Sequence, residues 1–260
     1  KELGSNILSI KDLTVKNDKG LIAVDHISLN VSGGEILGIA GVAGNGQKEL
    51  CEALAGLRKI DSGEIIIQGK GFQHLDSKEA IDNGLGFIPE DRHHRGLVLD
   101  FPLWRNAIMK RYRQSQYCKY LFLRMNNIFN FSRSLIEQFD IRVPHEKTLV
   151  STMSGGNQQK LILARELSQD PRILVANQPT RGLDVASIEY VHFQLLQHRK
   201  MGKAILLVSR ELNEVMNMSD RIAVMHRGKV VGVVSSEKAN KQYIGDLMLG
   251  IKKEGDYESK

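Results

Sequence analysis

The chain holds 260 residues, 42% of them hydrophobic and 6% aromatic, with a formal net charge of +6. That length can bury one large domain, or one domain carrying an inserted lobe, and the ordinary composition excludes a disordered chain or a disulfide scaffold. Cys51 and Cys118 make neither a disulfide framework nor a metal pattern, no apolar run reaches the length of a membrane span, and nothing at the start of the given sequence reads as a signal peptide.

The two cysteines are therefore expected to be structural thiols in a reducing cytoplasm. The first residue is Lys1 rather than methionine, which is expected of a piece of a longer polypeptide. The polar ends, Lys1 to Asn6 and Lys252 to Lys260, predict a linker and a frayed tail.

Ile7 to Val15 and Ile22 to Val31 alternate as strands do, and Gly33-Gly34 marks a turn before the short buried-type strand Glu35 to Ala40. A glycine-rich loop at Gly41 to Gly46 leads into a helix over Lys48 to Ala55. Strands at Glu64 to Ile67 and Leu85 to Ile88 flank a helix around Ser77 to Asn83. From about Leu103 to Leu167 the pattern is helical, with aromatic and aliphatic residues interleaved with basic ones. After Pro171 the alternation resumes, with strands at Ile173 to Ala176, Ala204 to Val208, Arg221 to Val224 and Lys229 to Val234. Helices over Ser187 to His198 and Leu212 to Met218 lie between them. Alternating strands and helices predict an α/β fold with a mostly parallel sheet, and the helical stretch predicts an inserted subdomain.

The charge is concentrated. Between Asp100 and Glu137 there is no acid, while Arg105, Lys110, Arg111, Arg113, Lys119, Arg124 and Arg133 all fall there. Two readings fit: a solvated face of the helical lobe, or a face turned toward anionic lipid or a membrane partner.

A phosphate-binding loop takes the form G-x-x-x-x-G-K-[S/T] between a strand and a helix: backbone N–H groups cradle phosphate, the lysine reaches the β- and γ-phosphates and the hydroxyl binds magnesium. Gly41, Gly44, Asn45 and Gly46 keep that loop, but Gln47 takes the lysine position and Lys48 the hydroxyl position, ahead of Glu49. One step along a helix turns a side chain by about 100°, so Lys48 does not replace the missing lysine. Losing a charged hydrogen bond and the hydroxyl weakens Mg-ATP by something on the order of a hundredfold. A glycine-rich turn with no ligand is the alternative.

Ser154-Gly155-Gly156-Asn157-Gln158 opens a helix, with Ser154 a good N-cap and the glycines leaving backbone bare for an anion. The strand that follows continues as Asn177-Gln178-Pro179-Thr180-Arg181-Gly182-Leu183-Asp184. This order of loop, capped helix, apolar strand and Gly-Leu-Asp resembles the ATP-binding-cassette (ABC) superfamily over nearly the whole chain. The resemblance implies the ABC ATPase fold: a parallel-sheet core carrying the phosphate loop, an N-terminal antiparallel β subdomain and an inserted α-helical subdomain. It divides the chain into a linker at 1–6, β subdomain and first core part at 7–89, helical subdomain at 90–168, second core part at 169–235, and C-terminal helix and tail at 236–260.

Against the superfamily pattern, Asn177 and Gln178 stand where Asp-Glu is expected, and amides neither act as base nor supply anionic charge to a metal. Arg210 replaces the switch histidine, Glu90 replaces the loop glutamine, and the adenine-stacking aromatic is missing around Lys16 to Gly20. Together these losses imply no catalytic residue and no metal ligand in the chain's own site.

The phrases Gly41 to Gln47, Pro89-Glu90-Asp91-Arg92, Met153 to Lys160 and Gln178 to Val185 are similar to the second cassette of tandem ATPases that drive bacterial simple-sugar and nucleoside importers. Asn45-Gly46-Gln47 with Gln178-Pro179 leans toward the nucleoside group. The resemblance implies that Ser154 to Gln158 act in trans on Mg-ATP held by an N-terminal cassette of the same polypeptide, with Asp184 at the interface between cassettes. The implied partners are transmembrane permease subunits and, indirectly, a periplasmic or lipid-anchored solute-binding protein, at the cytoplasmic face of the membrane. By the same resemblance the helical insert would dock against cytoplasmic helices of the permease, with Glu90 to Asn106 the connecting loop that transmits closure. Nucleic acid is not among the implied partners. Two rivals are a non-transport cassette acting on nucleic acid or ribosomes, and a purely structural cassette.

Overall fold

In a computed structural model, which describes residues 3–251, the chain divides into two compact units. The first comprises residues up to 87, 171–178 and from 192 onward; the second comprises 88–170 and 179–191.

In chain order the elements begin with strands β1 (Asn6–Lys16), β2 (Ile22–Ser32) and β3 (Ile36–Gly41), then helix α1 (Gln47–Leu54). Next come β4 (Ser62–Ile67), β5 (Lys70–Phe72), α2 (Ser77–Asp82) and β6 (Leu85–Ile88). The second unit holds α3 (Leu103–Ile108), β7 (Cys118–Lys119), β8 (Phe122–Leu123), α4 (Met125–Gln138) and α5 (Gly155–Leu167). Then follow β9 (Ile173–Asn177), α6 (Val185–Lys200), β10 (Ala204–Val208), α7 (Leu212–Met218), β11 (Arg221–His226), β12 (Lys229–Ser235) and α8 (Lys241–Met248).

A six-stranded sheet runs in the order β12-β11-β3-β10-β9-β6. β3, β9 and β10 are buried along their whole length, because helices cover both faces of a parallel sheet and leave no solvent side to alternate with. β10 pairs in parallel with β3 and β9, β11 in parallel with β3, and β12 closes the edge antiparallel to β11. The four-stranded sheet β2-β1-β4-β5 is antiparallel in each pairing.

β1 buries Leu8 and Ile10 at even positions but Leu13 and Val15 at odd ones. A register shift between Ile10 and Leu13, with Asp12 at φ 50°, inserts the extra residue that keeps both pairs on the core face.

Three expectations need correction. The proposed linker at 1–6 is in part structured: Gly4 donates to the carbonyl of Gly33, Gly33 donates to that of Ser5, and Asn6 already belongs to β1. The stretch from Leu103 to Leu167 is not continuously helical. It contains the β7–β8 hairpin and irregular chain after α4, because polar Gln114-Ser115-Gln116 and two positive-φ residues, Tyr120 and Leu121, interrupt the helical spacing. The connection from Glu90 to Asn106 is likewise not plain loop, since it holds a π-helical turn at Arg92–Gly96 and the start of α3. The tail from Lys252 lies outside the described residues. Cys51 is buried, Cys118 half-buried, and both are free thiols.

Candidate functional site

The candidate residues fall into two sets, one in each unit. In the first unit, β3 ends in the glycine-rich loop and α1 follows it. Gly46 has φ 97°, and a Cβ there would lie 2.0 Å from the carbonyl oxygen of Ala23, so both conformation and space demand glycine. Gly44 also has positive φ, with nothing within 4 Å of a Cβ. Gln47 folds back over this loop: its Nε2 donates to the Val42 carbonyl at 3.2 Å and would sit 2.4 Å from a Cβ on Gly41. Lys48 points along the helix, with Nζ 3.9 Å from the carboxylate of Glu52, as the turn of about 100° per residue requires. Glu49 is half-buried in the first turn of α1.

Asn45 has a role that the sequence did not reveal. Its Oδ1 accepts the N–H of Arg227 at 2.9 Å and its own carbonyl accepts that of Gly228 at 3.2 Å, which ties the loop to the β11–β12 turn. A separation of 182 residues leaves no local signal for this pairing.

Asn177 is buried at the end of β9. Gln178, at φ 53°, donates its N–H to the Val208 carbonyl at 2.8 Å, and its Oε1 accepts the N–H of exposed Arg210 at 3.3 Å. The side chains at 47, 48, 177 and 178 thus offer amides and one ammonium, and no carboxylate or hydroxyl.

In the second unit, Ser154 caps α5 and is exposed, while Gly155, Gly156 and Asn157 are half-buried. Ser154 Oγ accepts from the Asn157 N–H at 3.4 Å and from Asn157 Nδ2 at 3.0 Å, and neither bond uses the hydroxyl's own proton. Asn157 Oδ1 is taken by the N–H of Arg142 at 2.8 Å. Gln158 departs from expectation: it is only 5% exposed, its Nε2 donates to the Val150 carbonyl at 3.1 Å, and its Oε1 lies 2.9 Å from His93 Nε2. Helical periodicity turns it inward, so it holds the segment in place rather than facing a ligand.

A Cβ on Gly156 would come within 2.3 Å of Ser187 Oγ. Ser187 is in turn held by Asp184, whose two oxygens accept its N–H at 3.0 Å and its hydroxyl at 2.8 Å. The Ser187 N–H, then its hydroxyl, holds the Asp184 carboxyl below the usual range. Glu90 pairs with Arg181 at 2.7 Å, and Arg92 donates to the carbonyls of Arg181 at 2.8 Å and Gly182 at 3.2 Å. These bonds fasten Glu90-Asp91-Arg92 to the segment before Asp184. No local pattern in the sequence signals this role of Arg92, since its partners lie 89 and 90 residues away.

The ABC transporter family profile matches residues 24–181, across the glycine-rich loop, the capped α5 and the apolar β9. The chain belongs to the ABC transporter family. This cassette is 47% identical over 247 residues to the guanosine import ATP-binding protein NupO of Bacillus subtilis (strain 168), covering 95% of the chain and 48% of that protein. It is 46% identical to the nucleoside import ATP-binding protein NupA of Lactococcus lactis subsp. cremoris (strain MG1363), covering 94% of the chain and 48% of that protein. The chain spans about half the length of the curated relatives it matches. A nucleotide-free ATP-binding cassette from an ABC transporter superposes with a TM-score of 0.74 at 18% identity, covering 94% of this chain and 95% of that one; the likeness shows the ABC ATPase fold. Among the described residues no helix is long and apolar enough to cross a membrane, and no group of three or more His, Cys, Asp or Glu is placed to hold a metal ion.

Proposed function

We propose that this cassette is the second, hydrolysis-deficient half of a tandem ATPase in an importer of nucleosides or simple sugars. Its likeness to nucleoside and guanosine import ATP-binding proteins about twice its length supports that assignment. The observation that carries the division of labour is a contrast between two loops. Gln47 closes over its own glycine-rich loop, while exposed Ser154 keeps a hydroxyl proton to give at the N-terminus of α5.

In its own site, Lys48 lies along α1, and the amides of Asn177 and Gln178 give magnesium no anionic oxygen and an attacking water no base. Mg-ATP does not fit this set of donors, so the loop holds it weakly or not at all. Arg210, at the switch position, offers a fixed positive charge and no proton acceptor.

In trans, ATP with Mg2+ is bound by an N-terminal cassette of the same polypeptide. Ser154 and the backbone N–H groups of Gly155 and Gly156 donate to its γ-phosphate, and the positive end of α5 favours that charge. Asp184 faces the other cassette at their interface, with its carboxylate kept ionised by Ser187. The helical unit docks on transmembrane permease subunits, through which a periplasmic or lipid-anchored solute-binding protein acts indirectly. The assembly is peripheral at the cytoplasmic face and takes no nucleic acid.

Ser154→Arg in the assembled transporter tests the reading. Transport and ATPase activity are expected to fall roughly a hundredfold or more, as when a charge-stabilising donor is removed. Steady ATPase activity of this cassette alone that vanishes in S154R would overturn the assignment.

A further inference from the structure

The second unit carries a feature that nucleotide chemistry does not use. The β7–β8 hairpin pairs Cys118 with Leu123 and Lys119 with Phe122, joined by the two-residue turn Tyr120-Leu121. Its base is firmly built: Tyr117 is buried, its ring centroid lies 5.3 Å from that of Phe131, and its carbonyl accepts the N–H of Arg124 at 2.8 Å. Its tip is exposed. Tyr120 is 83%, Leu121 96% and Phe122 79% accessible.

Both turn residues have positive φ, 48° and 70°, a conformation for which Asn-Gly is favoured and bulky side chains are strained. Here the turn instead presents a tyrosine and a leucine to solvent, next to a phenylalanine. The tip is bracketed by exposed Lys119 and Arg124, with exposed Arg113 on the segment leading into the hairpin. Of the other cations of the acid-free segment, Lys110 pairs with Glu166 and Arg133 with Glu146; Arg105 and Arg111 lie over aromatic rings, as do Arg113 over Tyr112 and Lys119 over Tyr120 at the tip itself.

An apolar tip ringed by cations, in a stretch without one acid, matches an anionic bilayer interface. Apolar side chains enter the acyl boundary there, tyrosine sits at headgroup level, and Lys and Arg meet lipid phosphate. Nucleic acid uses the cations but leaves the apolar tip in water, and a protein groove takes the tip without calling for an acid-free field. We propose that the β7–β8 hairpin inserts its Tyr120-Leu121-Phe122 tip into anionic membrane lipid. This goes beyond the proposed function, because lipid contact needs no nucleotide, second cassette or permease.

The full-length protein is sedimented with vesicles of phosphatidylglycerol and phosphatidylcholine in equal amounts, and with vesicles of phosphatidylcholine alone. Binding to the mixed vesicles only is expected. Leu121→Ser with Phe122→Ser should weaken it about tenfold or more, and Lys119→Gln or Arg124→Gln about fivefold each. All three variants should keep the wild-type circular dichroism spectrum, since these side chains are exposed. Leu121→Trp should show blue-shifted emission, quenched by brominated acyl chains, on the mixed vesicles. No binding to the mixed vesicles, or equal binding by the tip variant, overturns the proposal. So does a tip variant that loses only permease assembly while its vesicle binding is unchanged, which would assign the hairpin to protein.

Discussion

Gln47 lies across its own loop with its amide on the Val42 carbonyl, and Lys48, one residue on, has turned to Glu52. On the proposed function, exchanging them for the residue types a phosphate loop uses should strengthen nucleotide binding. Gln47→Lys with Lys48→Thr is expected to tighten ATP binding by roughly ten- to a hundredfold, measured by titration with a fluorescent nucleotide. Hydrolysis should not follow, because Asn177 and Gln178 still provide no base. A second residue-scale prediction concerns Asp91. The N–H of His94, then the His94 ring and the His93 N–H, holds its carboxyl at about 2, below the ordinary 3.8, while burial opposes them. A value lowered by folding stabilises fully above the ordinary range, and that stability is lost as pH falls through about 2. Urea midpoints taken from about pH 5 downward should therefore fall less steeply in Asp91→Asn than in the wild type. The difference should be small, because the side chain is 45% exposed.

Among the elements, α5 unites the cap that the proposed function uses and a buried ionic cluster that the sequence does not single out. Glu166 is fully buried, with Arg165 Nε at 3.0 Å and Lys110 Nζ at 2.6 Å, and Arg165 Nη1 donates to the Gly96 carbonyl at 2.8 Å. The cluster thus joins the far half of α5 to the chain just after α3 and to the π-helical turn. Removing the carboxylate leaves buried Arg165 without its counter-charge, so Glu166→Ala should cost about 3–5 kcal/mol of stability, read from a denaturant midpoint. The Ser154 end of α5 depends on closer packing. Gly156 leaves the space that Ser187 fills, and Asn157 and Gln158 are both engaged in holding the cap segment.

At the scale of the whole molecule, the first unit carries the glycine-rich loop with Gln47 and Lys48 after it, and the second carries the Ser154-capped N-terminus of α5. The proposed function gives these two features separate parts in an ATPase. Ser154→Arg should therefore leave nucleotide binding by this chain unchanged while the assembled transporter loses ATPase activity, as paired binding and turnover measurements on the same preparation would read. The charge is equally divided: the basic excess resides in the acid-free segment of the second unit, and without that segment the chain is close to neutral.

Sequence by itself determined the α/β class, the loop at Gly41 to Gly46, the Ser154 cap and which side chains stand at positions 47, 48, 177, 178 and 210. These are properties of residue type and short spacing, which local patterns carry. Tertiary structure alone decided that Gln158 turns inward, that Asn45 ties its loop to the β11–β12 turn, and that Arg92 fastens the segment before Asp184. It also turned part of an apparently helical stretch into a hairpin with an exposed apolar tip. Each of these rests on partners up to 182 residues away, or on backbone at positive φ, where the energy of packing overrides local preference.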